Sequence, residues 1–353
     1  MVKANRISWA DVAKGICILL VVLWHVIMKH YLQVDWHIGG RVRGLWGTLG
    51  EQLLPLRMPL FFAVSGFFAV RAVQRPWSAV VRTKVAKFYY LYVLWLIVHT
   101  AVLALVPDFA TERADGPLKF LAQLTITPSN LWYLYALALY FVIAKVARRV
   151  PSWLVLGLAF ALSAMASAGW LDVPGDRGGV YQNLVFFLAG LYGKGLIEDL
   201  AARARWRRLF LVGTPYVVLL AVIAIFDAKT WFGLWPLVSG VAIVLGVTAA
   251  GLVSRWERLT AALTSIGRRT LPIYVIHLPL LALIHAALIK PLSSAGPAIQ
   301  WTAAIAEPVL LTALLTYLCL FLHRHLPSPL FDLPFAPRTA DAVERTRAEA
   351  PAS

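Results

Sequence analysis

Three ionisable side chains stand in the first apolar stretch of the chain: Asp11, Lys14 and His25, separated by 3 and 11 residues. On a helix turning about 100° per residue they share a sector of roughly 60°, with His25 about 21 Å beyond Asp11. An ionisable group inside a membrane span is costly unless it faces a polar cavity or a partner, so a face of this kind marks function by default. Asp11 and Lys14 can pair at i,i+3. The histidine can do chemistry in two ways. It can take a proton from a hydroxyl as a general base, or carry an acyl group covalently between two substrates. The spacing leaves both open, and it also fits an interfacial ion pair with an unrelated histidine.

These residues need elements to hold them. The chain has 353 residues, 60% of them hydrophobic and 14% charged, with a mean hydropathy of +0.73. A water-soluble fold of this length needs far more charge to cover its surface, so the apolar excess must meet lipid. Stretches long enough to cross ~30 Å of hydrocarbon fall near 9–29, 51–73, 88–106, 131–147, 152–170, 181–197, 209–226, 231–252, 271–289 and 301–323. The expectation is an all-α integral membrane bundle of about ten transmembrane helices, with both termini cytoplasmic. With the N-terminus inside, Lys and Arg gather in the inner segments more than twice as often as in the outer ones, the bias expected of cytoplasmic loops. Arg57 counts there as an outer cation and Lys145 as an inner one. The first stretch has no small-residue cleavage site and reads as a retained span. Residues 1–325 form one membrane domain, and 326–353, rich in Pro, Ala and alternating charge, read as a disordered cytoplasmic tail.

Composition also excludes. The net charge of +16 sits in short clusters between apolar runs, which fits topology and anionic lipid and not nucleic acid. Cys17 and Cys319 are packing residues without metal-ligand neighbours. His30, His37, His99, His285, His323 and His325 repeat no metal-ligand spacing with a carboxylate, so no metal is expected and none of them is given a role. Glu307, before Pro308, reads as interfacial.

The order of several motifs adds a resemblance. The run from Arg6 through Asp11, Lys14 and Gly15 to Ile18, ending at Trp24-His25, resembles the first helix of the membrane acyltransferase 3 family, in which a basic residue precedes a histidine by eleven positions. Many members have Arg at this position; Lys14 resembles the fucose 4-O-acetylase-like branch, which often has Lys there. Met58-Pro59-Leu60-Phe61-Phe62 with Ser65-Gly66-Phe67 resembles the second helix, and Leu131-Trp132-Tyr133-Leu134 the start of an aromatic one. Phe186-Phe187 with Gly190, then Ile266-Gly267 with Thr270, Tyr274 and His277, complete a series that spans most of the chain.

The resemblance implies a multi-pass O-acyltransferase of the inner membrane with no tightly bound cofactor. It would move an acyl group, most simply acetyl, from acetyl-CoA or another acyl-CoA to a hydroxyl of a cell-envelope sugar, polysaccharide or glycolipid. It implies that His25 is catalytic, with Asp11 and Lys14 holding donor charge or the shape of the pathway. Lys84 and Lys87 correspond to the family's paired arginines. With Arg82 they place three cations at one end of a span, suited to the phosphates of CoA, although lysines lack the bidentate fork and such clusters also serve as positive-inside anchors. Trp132, Tyr274 and His277 are candidates for the substrate cavity; an aromatic belt and a hydrogen bond between helices explain them equally. A transporter or flippase for a lipid-linked sugar is the alternative, as is a non-catalytic partner of a polysaccharide synthase. Oligomeric state is not indicated.

Overall fold

The computed structural model describes residues 8–38, 40–173 and 178–334. The expected tail beyond 334 lies outside them, as do Lys3, Arg6, Arg177, Arg338, Arg345 and Arg347. Among the described residues all regular structure is helical. The chain runs through α1 (Ser8–Lys29), α2 (Gly40–Gln52), α3 (Leu54–Gln74) and α4 (Trp77–Val80), which continues by a π-helical turn, Val81–Val85, into α5 (Ala86–Ala104). Next come α6 (Pro117–Thr125), α7 (Trp132–Val146), α8 (Ser152–Ser167), α9 (Gly178–Gln182), α10 (Leu184–Tyr192) and α11 (Lys194–Ala202). The last five are α12 (Trp206–Phe226), α13 (Leu234–Val253), α14 (Glu257–Gly267), α15 (Thr270–Ser293) and α16 (Pro297–His325).

Among the described residues, seven helical segments are long and apolar enough to cross a bilayer: Ser8–Gln33, Val42–Gln74, Trp77–Ala104, Trp206–Phe226, Leu234–Val253, Thr270–Ser293 and Pro297–His325. The other three expected spans come out short. α7 has 15 residues and α8 has 16, about 22–24 Å at the helical rise. The stretch expected at 181–197 is broken near Asn183 and Gly193 into α9, α10 and α11. Apolar composition alone suggests ten crossings, whereas helix length supports seven.

The core closes where side chains vanish. α3 lies along α10 with Gly66 against the Phe187 carbonyl and Gly190 against the Ala63 carbonyl, and a Cβ on either glycine would overlap those oxygens. α1 meets α14 in the same way, Gly15 against the Leu263 carbonyl and Gly267 against the Asp11 carbonyl. Lipid tails are as apolar as Leu, so helices in a membrane associate through close van der Waals packing, which small residues permit.

Prolines inside helices strip the carbonyl four residues earlier of its donor, and no water replaces it in lipid. Two such carbonyls are met by side chains from other elements. Pro279 in α15 frees the Val275 carbonyl, to which His99 Nε2 on α5 donates at 2.8 Å. Pro308 in α16 frees the Ala304 carbonyl, which accepts from Tyr31 Oη and from Trp46 Nε1, each at 3.0 Å. Next to Tyr31, His30 places Nδ1 3.0 Å from His285 Nδ1 and Nε2 3.2 Å from the Glu307 carboxylate. His30 uses one nitrogen toward each partner, so the three groups form a line with no shared centre. Glu307, expected at the interface, is thus mostly buried and lies beside His30, where the end of α1 meets α15 and α16.

Two further segments are more ordered than composition alone indicates. Lys145 is buried and caps α3, donating to the Val73 carbonyl at 2.8 Å and to that of Arg75. It satisfies the open carbonyls of a helix C-terminus. Residues 326–334 are not structureless: a 3₁₀ turn, Ser328–Leu330, docks on α5, where Trp95 Nε1 donates to the Leu330 carbonyl at 2.7 Å and Phe331 is buried.

Candidate active site

His25 lies on the last two turns of α1, and its neighbours fix its tautomer. Nδ1 is 2.8 Å from the Val21 carbonyl of its own helix and 3.3 Å from His277 Nε2 on α15. His277 Nδ1 is in turn 3.0 Å from the Ile273 carbonyl. A carbonyl only accepts, so both Nδ1 atoms carry the proton, and His277 Nε2 shares the His25 N–H as a second acceptor. His25 is left with Nε2 as a lone pair, the form a general base needs. His277 is placed to steady the ring as it gains charge.

His25 lines a cavity of about 580 Å³ whose wall also includes Trp24, Arg57, Trp132, Asn183, Trp235 and Tyr274. A second cavity, of about 200 Å³, lies toward the other end of α1. Its wall is largely aromatic, with Phe61, Phe68, Phe88 and Phe141, and carries two cations, Lys14 and Lys84. Ser65 and Tyr133 join hydroxyls in this wall at 2.8 Å; because Ser65 donates to the Phe61 carbonyl at 2.8 Å, Tyr133 is the donor of the pair. Tyr274 borders both cavities. Its hydroxyl donates to the Asn130 carbonyl at 3.1 Å and accepts the Tyr133 amide N–H at 3.3 Å.

The polar face of α1 therefore divides between two spaces. Lys14 reaches the smaller cavity and His25 the larger. Asp11 lines neither: its carboxylate holds Lys14 at 2.7 Å and Arg268 at 3.2 Å, which ties α1 to the start of α15. Of the three cations expected together, only Lys84 lines a cavity. It sits in the π-helical turn, a distortion frequent at functional sites. Lys87 pairs with Asp332 at 2.9 Å, and Arg82 is exposed. Trp132 and Tyr274 both line the His25 cavity, and His277 stands behind His25. Sequence reasoning missed Arg268 and Arg57. Arg57, counted as an outer cation, lies in the first turn of α3, 6% exposed, with its guanidinium 4.5 Å from the centroid of the Trp24 ring. Its one signal was position: an arginine directly before the Met58-Pro59-Leu60-Phe61-Phe62 run.

A family model described as an acyltransferase domain, acyltransferase 3, matches residues 7–324. The chain belongs to the acyltransferase 3 family. Acyl transfer is thus the chemistry its family name carries, and the two cavities are to be read in that light. The chain is also 29% identical over 361 residues to the inner membrane protein YcfT of Escherichia coli (strain K12), covering 95% of this chain and 97% of that relative. That relative and the seven bilayer-length helices agree on a multi-pass protein of the inner membrane. No solved structure matches the chain.

Proposed function

We propose that this acyltransferase 3 protein moves an acyl group, acetyl being the simplest, from acyl-CoA on the cytosolic side to a hydroxyl of an envelope sugar, polysaccharide or glycolipid on the other side. The observation that carries this reading is Tyr274, which borders both cavities: a thioester in the Lys14 cavity and a hydroxyl in the His25 cavity meet there. The narrow aromatic cavity suits the thin acyl arm of the donor, and Lys14 and Lys84 suit its phosphates. His25 Nε2 takes the hydroxyl proton as the oxygen attacks the thioester carbonyl carbon. The C–S bond breaks as the ester forms, and the thiolate of CoA leaves with that proton. Both termini are cytoplasmic in this reading, the short helices bring the crossings to about ten, and the enzyme is a membrane O-acyltransferase of the class EC 2.3.1.-.

The test compares envelope carbohydrate from cells making the intact chain, His25→Ala or His25→Gln, by mass spectrometry for an acyl mass increment, at matched membrane abundance. General-base catalysis contributes about 10²–10⁴-fold, so the increment should fall by that order in both variants. Equal increments in all three would remove His25 from the chemistry. Isotope-labelled acetyl-CoA that leaves no label on any envelope molecule would move the transporter reading to the front.

A further inference from the structure

Arg57 is a cation without a counter-charge. Among the described residues it forms no ion pair, its Nε–H has no acceptor, and it is buried inside a membrane bundle. A guanidinium taken out of water is costly unless paired, and stacking on Trp24 recovers only part of that cost. The wall around it holds other polar atoms without partners: the indole N–H groups of Trp24 and Trp235, and Oδ1 of Asn183. Three unpaired donors and one unpaired acceptor thus belong to residues that line the cavity beside His25. The remaining charged groups on this wall are engaged elsewhere. Lys29 donates to the Ala110 carbonyl at 2.9 Å, and Glu112 lies 4.0 Å from Lys119. Among the charged groups on this wall, Arg57 is the one that is buried.

We propose that the acceptor is anionic: a carboxylate or phosphate on the sugar or its linkage seats against Arg57 while a neighbouring hydroxyl faces His25 Nε2. This rests on reading the His25 cavity as the acceptor side, and it adds the class of acceptor. The planar guanidinium fork matches either oxyanion by paired N–H···O bonds.

The experiment measures binding to the purified full-length protein by its tryptophan fluorescence, because Trp24, Trp132 and Trp235 all line the cavity. The probes are glucuronate, glucose 1-phosphate and glucose. At least one anion should bind about tenfold or more tighter than glucose, as charge-assisted pairing demands. The preference should survive in R57K and vanish in R57Q. Tighter glucuronate assigns a carboxylate, and tighter glucose 1-phosphate a phosphate. Equal binding of all three sugars, no binding of either anion, or an unchanged preference in R57Q would overturn the proposal. The three-ligand comparison on the unaltered protein decides the matter even where R57Q does not fold. Binding needs no acyl donor, so an anion preference without any acyl transfer would overturn the enzyme reading alone, and acyl transfer onto a neutral sugar would overturn this one alone.

Discussion

At His25 the reactive nitrogen is defined by what the other nitrogen does. Val21 and His277 both accept from Nδ1, which leaves Nε2 free, so His277 acts through His25. Replacing His277 by Phe removes the acceptor and should lower kcat by about ten- to a hundredfold, the scale of an orienting partner, with KM little changed. His277→Gln, whose amide oxygen can accept the same proton, should recover much of the rate. Steady-state kinetics with acyl-CoA and an acceptor separate the two variants; a change in KM alone would make His277 a substrate contact. His25 was legible from its spacing to Lys14 together with the family resemblance. His277 was singled out as a cavity candidate, but its pairing with His25 was not legible, because 252 residues separate them. The same distance problem hid Arg268 beside Asp11. A helical wheel likewise shows that Lys14 and His25 share a face, but not that the bundle divides that face between two cavities.

Most helices follow from apolar runs, but the runs do not give helix length. α7 and α10 are short and mostly buried, since a run of apolar residues reads alike whether it meets lipid or a protein core; α8 is as short but leaves most of its residues accessible. The motifs behind the resemblance do two kinds of work. Four of the five runs contain a glycine of a tight crossing, Gly15, Gly66, Gly190 or Gly267, so they record how helices pack as well as what they catalyse. The proline-freed carbonyls give a prediction at this scale. His99→Phe leaves the Val275 carbonyl without a donor and should cost about 1–3 kcal/mol, the penalty of a buried unsatisfied group, seen as a lower unfolding midpoint in detergent. Tyr31→Phe should cost less, since Trp46 still donates to Ala304. Equal losses would mean that packing, not hydrogen bonding, sets both.

For the molecule as a whole, the reading requires one orientation: the Lys14 cavity must face the cytosol, where CoA is found. Starting from a chain with Cys17 and Cys319 replaced, a cysteine at Lys229, between α12 and α13, should react with a membrane-impermeant maleimide on intact cells. One at Arg203, at the end of α11, should react only after permeabilisation. Both side chains are well exposed. The opposite pattern would place the donor cavity outside and end the proposed route. Charge distribution gives this orientation as an expectation from the sequence; that two cavities share one tyrosine was not legible, since Tyr274 lies 141 residues from Tyr133 and 144 from Asn130. In the proposed route the two cavities that Tyr274 borders open to opposite sides of a membrane across which a cell stores voltage. Its ring would then be the place where the protein lets an acyl group pass and still keeps protons from leaking down their gradient.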